Sequence, residues 1–199
     1  MFHTVIEALG GFIAMALAGQ FLALRRYRNG RRHYLWISMG LIAMGTLDLA
    51  HAACVPGQAF VWFHSTAIFT GGVLFAMVWL PSRVAQSSRV RLFLISSVIA
   101  VGAFCIFSLR CSSILPAMIE QGTFTFAARA LNVLGGIGFL SAGMWFLLRY
   151  WAKGRRDDYL FACLCSLFGA AGVLFELSVL WDVAWWWWHF LRLAAYGLA

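Results

Sequence analysis

Hydrophobic positions along this chain come in runs too long for strands and too uniform for amphipathic surface helices. Apolar stretches read at about 4–24, 34–53, 60–80, 91–109, 126–149, 159–180 and 183–199. Most approach the ~20 residues that an α-helix needs to cross a bilayer at ~1.5 Å rise per residue. Polar punctuation separates them: "RRYRNGRRH" after the first run, "CVPGQ" after the second, "PSRVAQSSRVR" after the third and "RYWAKGRRDDY" after the fifth. Pro56 falls in a turn and Pro81 and Pro116 at run ends, so none is expected to kink a span. The first run is too long for the core of a signal peptide, and no small-residue cleavage site follows it. The pattern predicts an all-α integral membrane fold, a seven-helix transmembrane bundle, with residues 1–199 as a single domain.

Composition agrees. Of 199 residues, 63% are hydrophobic and 11% charged, and mean hydropathy is +0.84, against an apolar share of roughly 45–50% in soluble domains. Seven spans use up the length and leave no room for a soluble catalytic domain within it. The formal charge of +8 does not point to nucleic acid, because the basic residues are confined to short loops between apolar runs. The odd-to-even loops hold Arg25, Arg26, Arg28, Arg31, Arg32, Arg83, Arg89, Arg91, Arg149, Lys153, Arg155 and Arg156, whereas the opposite side holds Arg110 and Arg129. By the positive-inside rule the amino terminus is outside and the carboxyl end cytoplasmic, which an odd number of spans requires.

No internal repeat or Gly/Pro-broken helix pair suggests a transporter. The five cysteines have no CxxC or zinc-finger spacing. Cys105, Cys163 and Cys165 fall in apolar helices, where cysteine acts as a small hydrophobe. Cys54 and Cys111 both fall in loops assigned to the outside and are a candidate disulfide pair.

The topology assigns a depth to each ionisable residue. His51 lies in the last turn of the second helix, His64 in the first turns of the third and His189 one to two turns into the seventh, all near the outer face. His3 starts the first helix on that side, while His33 belongs to the basic inner loop. A single interfacial histidine usually packs beside aromatic rings. Three at one depth on three helices form a candidate metal site, since imidazole is a common transition-metal ligand and ligands in bundles converge from separate helices. Asp48 stands one turn from His51 at i, i+3, on the same face. A carboxylate there needs an interior partner: the second nitrogen of a ligand histidine, Arg129, Arg192 or a helix-end backbone group.

Glu176 reads as a second interior acid on a face with Cys165, Gly169 and Gly172, small residues that equally suit close helix packing. In "LWDVAWWWWHFLRLAAY", Asp182, Trp185, His189, Arg192 and Tyr196 form one helical face, with Trp186, Trp187 and Trp188 directed elsewhere as part of an aromatic belt. Arg192 lies too deep to reach the outer surface easily and needs Glu176 or Asp48 as its acid, either beside a cofactor or in a bundle-locking ion pair.

The stretches "LDLAHAACVPGQAFVWFHSTAIFTGGVLFAMVWLP" and "LWDVAWWWWHFLRLAAY" resemble the multi-helix membrane-associated sensor regions, the MASE type, that precede histidine-kinase or diguanylate-cyclase output domains in bacteria. The resemblance covers nearly the whole chain. It rests most on Asp48-x-x-His51, His64 and the aromatic run leading into His189, Arg192 and Tyr196. It implies a sensory domain in the inner (plasma) membrane whose last helix leads into a cytoplasmic output domain of the same chain. A looser similarity is to ethylene-receptor membrane domains, where a Cys and a His on one helix hold copper(I); here His51 and Cys54 have i, i+3 spacing instead.

The function expected is sensing through a metal or metal-cofactor, with His51, His64 and His189 as ligands and Asp48, Glu176, Arg192 and Tyr196 around them. Copper is favoured, with Cys54, Met39, Met44 or Met77 as soft neighbours for a reduced ion. Haem b is the alternative, held by two histidines with Gly71 and Gly72 making space for a flat ring, and would also suit a membrane oxidoreductase or electron carrier. A transporter is disfavoured because the ionisable groups cluster at one face, and a scaffold of interior polar pairs uses the same residues. Expected partners are membrane lipid, the output domain and a second copy in a homodimer, with no nucleic acid.

Overall fold

The computed structural model describes residues 2–27, 33–85 and 90–198. Its elements are α1 (Phe2–Tyr27), α2 (His33–Ala53), α3 (Gln58–Ala76), the single turn α4 (Ser82–Ala85), α5 (Val90–Arg110), the strands β1 (Ile119–Glu120) and β2 (Thr123–Phe124), α6 (Phe126–Lys153), α7 (Arg156–Leu174) and α8 (Val183–Gly197). Short 3-10 turns extend α3 at Met77–Trp79 and α7 at Phe175–Leu177.

Among the described residues six helices are long and apolar enough to cross a membrane, the first Phe2–Arg26 and the last Arg156–Leu177. The chain is thus a multi-pass, all-α membrane protein. α8, read from the sequence as the seventh span, has 15 residues among those described, about 22 Å of helix against a hydrocarbon core of about 30 Å, and is not one of these six. Of the basic loop residues, Arg28, Arg31, Arg32 and Arg89 lie outside the described residues, as does the side chain of Arg91.

The helices form a ring. α1 packs on α2, α2 on α3, α3 on α6, α6 on α7 and α7 on α8, which returns to α1. α5 stands outside and rests mainly on α2, with only 11% of its apolar stretch buried. Two close approaches draw the ring tight. A side chain at Gly72 of α3 would start 2.0 Å from the carbonyl oxygen of Gly135 on α6, and one at Gly11 of α1 would start 3.0 Å from that of Gly45 on α2. Without a strong hydrophobic force between helices in lipid, such small-residue contacts supply the van der Waals packing that holds spans together.

Side-chain caps set two of the boundaries. Thr125 accepts from the Ala128 backbone N–H at 3.4 Å to open α6, and Asp182 accepts from that of Trp185 at 2.5 Å to open α8. Between α5 and α6 the chain makes a hairpin with Gln121 and Gly122 at positive φ, the combination that suits a two-residue turn. Gln58, at the start of α3, pins it: its side-chain oxygen accepts from the Met118 and Ile119 backbone N–H groups, and its amide donates to the Ile119 carbonyl at 2.7 Å. Phe124 of the hairpin stacks on Phe175 at 4.2 Å, so β1 and β2 cover the end of the bundle where the histidines gather.

Gly72→Ala should cost about 1–3 kcal/mol by overpacking, read as a fall of several degrees in Tm in detergent. Gly19→Ala, where an added carbon meets nothing within 4 Å, should leave Tm unchanged or slightly raised.

Candidate functional site

Four helices bring the ionisable residues together: His3 and Glu7 from α1, Asp48 and His51 from α2, His64 from α3, and His189, Arg192 and Tyr196 from α8. None of these is more than 6% exposed. The predicted convergence holds for all three expected histidines. Ring centroids stand 5.5 Å apart for His51 and His64, and 6.4 Å for His64 and His189. His3 joins them, at 5.2 Å from His51 and 4.9 Å from His189.

Main-chain carbonyls orient two of the rings. His189 Nδ1 donates to the Trp185 carbonyl at 2.7 Å and His51 Nδ1 to the Phe60 carbonyl at 2.6 Å. A neutral imidazole carries one N–H, so each Nε2 presents a bare lone pair inward. The same carbonyl bond commonly orients metal-ligating histidines. His51 Nε2 has no hydrogen-bond partner although it is buried. His189 Nε2 accepts from His3 Nε2 at 3.0 Å and lies 3.1 Å from Glu7 Oε1, which is 4.0 Å from His3 Nε2. Ligands around a tetrahedral ion with ~2.0–2.1 Å bonds stand about 3.4 Å apart, the mean spacing of this triangle. A second group, Glu7, His51 and His64, offers ligand atoms within 4.8 Å of one another and shares Glu7 with the first.

Below the imidazoles lies an ion network. Arg192 Nη2 donates to Asp48 Oδ2; Nη1 donates to Glu7 Oε2 at 3.2 Å and to His64 Nδ1 at 3.2 Å. Of the partners expected for Asp48 the structure selects Arg192, and Arg192 takes Asp48 together with Glu7.

Glu7 is the functional residue that the sequence reading missed. Its signal was the spacing His3-x-x-x-Glu7, which puts an acid and an imidazole on one helical face.

Glu176 is corrected: α7 tightens into the 3-10 turn at Phe175, which swings Glu176 outward to pair with Arg129 at 3.1 Å, the two side chains 42% and 38% exposed. Gly172 faces the α6 backbone, so the small face serves helix packing. Trp188 is also corrected. It is buried, stacks on His189 at 3.6 Å and lies tilted against His64 at 4.4 Å, because positions 185, 188, 189 and 192 at i, i+3, i+4 and i+7 share one broad inward stripe. Tyr196 is buried against Phe168 and beside Gly10, on the far side of Arg192 along α8. His33 begins α2 and is enclosed by Tyr34, Trp145, Phe146 and Phe161 rather than lying in a loop.

The soft neighbours expected for copper do not reach the cluster. Met39, Met44 and Met77 pack in the central apolar core, Cys54 sits among apolar side chains, and all five cysteines are free. Among the described residues the space expected beside the histidines for a flat ring is filled. A side chain at Gly71 would meet Met44 at 2.3 Å, Gly72 is filled by Gly135, and the cavity beside His51 and His64 measures about 10 Å³, about the volume of one water probe. The donor set is imidazole and carboxylate, which suits a borderline divalent ion such as copper, zinc or nickel.

The whole chain, residues 1–199, matches the family model of a membrane-associated sensor domain, MASE3. The chain belongs to that family. No curated relative and no solved structure matches it. In this MASE3 domain the inward-facing groups therefore belong to a sensory module, and they gather at the end of the bundle covered by the hairpin.

Glu7→Gln should destabilise the MASE3 domain by about 1–3 kcal/mol, since Arg192 and His189 lose a buried anionic partner. Glu176→Gln, which breaks an exposed pair, should change stability by no more than about 1 kcal/mol. Thermal unfolding of both in one detergent checks the order.

Proposed function

We propose that this domain is the sensory input of a bacterial signal-transduction protein in the inner membrane, that it binds a transition metal at its outer face, and that it signals through α8. The observation that carries the proposal is the triangle of His3 Nε2, His189 Nε2 and Glu7 Oε1, with the unpartnered His51 Nε2 beside it. The carbonyl-anchored His189 and His51 turn Nε2 lone pairs toward the Glu7 carboxylate and His3, and buried lone pairs so placed are costly unless a proton, as His3 Nε2 now supplies to His189, or a cation sits between them.

Copper remains the favoured ion. The donors are nitrogen and oxygen, for which copper(II) stands highest in the divalent series, so the ion proposed is the oxidised one. The residues assigned are His3, Glu7, His51, His64 and His189 as ligands, with Asp48 and Arg192 as the ion pair beneath them. The excess of Arg and Lys at the opposite end of the bundle supports an outward-facing site. α8 carries both His189 and Arg192, so a change at the metal moves the element that leads toward a cytoplasmic output domain in the same chain. Homodimerisation in the membrane is also part of the proposal.

Purified protein loaded with copper(II) and freed of excess ion should retain near-stoichiometric copper and show no Soret band. Replacing His189 by Ala should lower retention at least about tenfold while the helical circular dichroism is kept. Copper-free protein after loading, or equal retention by the variant, would sink the metal proposal.

A further inference from the structure

The network beneath the histidines contains a cation of its own, and it occupies atoms that a metal needs. Arg192 Nη1 lies 3.2 Å from Glu7 Oε2 and 3.2 Å from His64 Nδ1. Glu7 is common to both candidate ligand groups, and His64 completes the second. A metal bonded at ~2.0–2.1 Å to Glu7 Oε2 and His64 Nδ1 would use the two atoms that Nη1 holds, and two positive charges brought that close repel strongly in a buried site. The triangle of His3, Glu7 and His189 receives no hydrogen bond from Arg192 except through Glu7.

A second feature shows where the guanidinium can go. Asp48 Oδ1 and Arg192 Nε are both buried without a hydrogen-bond partner, although Nη2 already bonds Asp48 Oδ2. Two side chains already in contact thus keep one spare acceptor and one spare donor between them. Carboxylate and guanidinium fit best when two parallel N–H···O bonds join them. A rotation of the guanidinium off Glu7 and His64 would complete that fork on Asp48.

We infer that Arg192 is an internal competitor of the metal: it holds Glu7 and His64 in the empty state, and metal entry displaces it into a bidentate pair with Asp48. The inference rests on the metal reading above and adds its regulation. Glu7 is on α1, Asp48 on α2, His64 on α3 and Arg192 on α8, so the exchange confines Arg192's hold on α8 to α2, while the metal takes over the link from α8 to α1 and α3 through His189. Occupancy of the site and position of α8 become two sides of one competition, each biasing the other by the same factor.

The competition fixes the sign of two substitutions. Asp48→Asn removes the alternative anchor and leaves Arg192 on Glu7, so copper should bind about five- to tenfold more weakly than in wild type. Asp48→Asn combined with Arg192→Gln removes anchor and competitor together, leaves Glu7 as the one buried charge of the three, and should bind copper about tenfold more tightly than wild type. Copper(II) is titrated into full-length protein in detergent against a chelator of known affinity, with circular dichroism as the control for folding. Weakening in both variants, or no change in either, overturns the inference while leaving the metal site standing. Binding by neither wild type nor variants overturns the metal reading and this inference with it.

A structure of copper-loaded wild type gives a second reading that needs no variant. It should show Arg192 off Glu7 and paired through two bonds with Asp48; a loaded structure with Arg192 still on Glu7 overturns the inference.

Discussion

A guanidinium that has left water for the interior of a membrane protein must be matched in charge and in hydrogen bonds, and here the matching ties together most of the helices around the site. Arg192 on α8 is held by Glu7 on α1, Asp48 on α2 and His64 on α3. Charged side chains inside a bilayer are costly enough that they survive only when paired or functional. Breaking one partner of such a set leaves an uncompensated buried charge, which costs more than the intact pair contributes. The network therefore specifies one arrangement of α1, α2, α3 and α8, and that arrangement sets the imidazoles above it.

Close helix contacts allow that arrangement to form. Gly11 against Gly45 brings α1 onto α2 and carries His3 and Glu7 toward His51 and Asp48. The Asp182 cap fixes where α8 starts and so which of its residues face inward. Trp188 then stacks on His189 with Trp185 tilted against the same ring, and the hairpin held by Gln58 closes the end with Phe124. These apolar surroundings strengthen every electrostatic contact inside them and make each unpartnered lone pair expensive. The result is a close-packed cluster of imidazoles and carboxylates under an aromatic cover.

Much of the membrane architecture was legible in the residues. Runs of about twenty apolar positions report helices because a bilayer leaves the backbone no other way to satisfy its hydrogen bonds. Shared depth correctly grouped His51, His64 and His189, since depth follows from position within a span. The errors came where local geometry departed from a regular helix or where a partner was distant in sequence. Glu176 was placed inward on a 3.6-residue period that the chain abandons at Phe175. Gly71 and Gly72 suggested open space, but a missing side chain says nothing about what approaches it, and here Met44, Phe139 and the α6 backbone do. Glu7 has no mark in the sequence beyond its place near the start of an apolar run and His3 one turn before it on the same face.

By itself the sequence determined that this is an all-α, multi-pass membrane protein, where its helices lie, which of its ends is basic, and which histidines share a depth. Those properties depend on hydrophobicity, charge and distance along one helix, all of which are local. Only the tertiary structure decided that Arg192 joins Glu7 and Asp48 rather than Glu176, that His3 completes the cluster, and that Trp188 faces it. Such choices depend on how the helices rotate about their axes and how closely they approach. Contacts between distant residues set both, and pairs 144 and 185 positions apart leave no periodic trace within any single run.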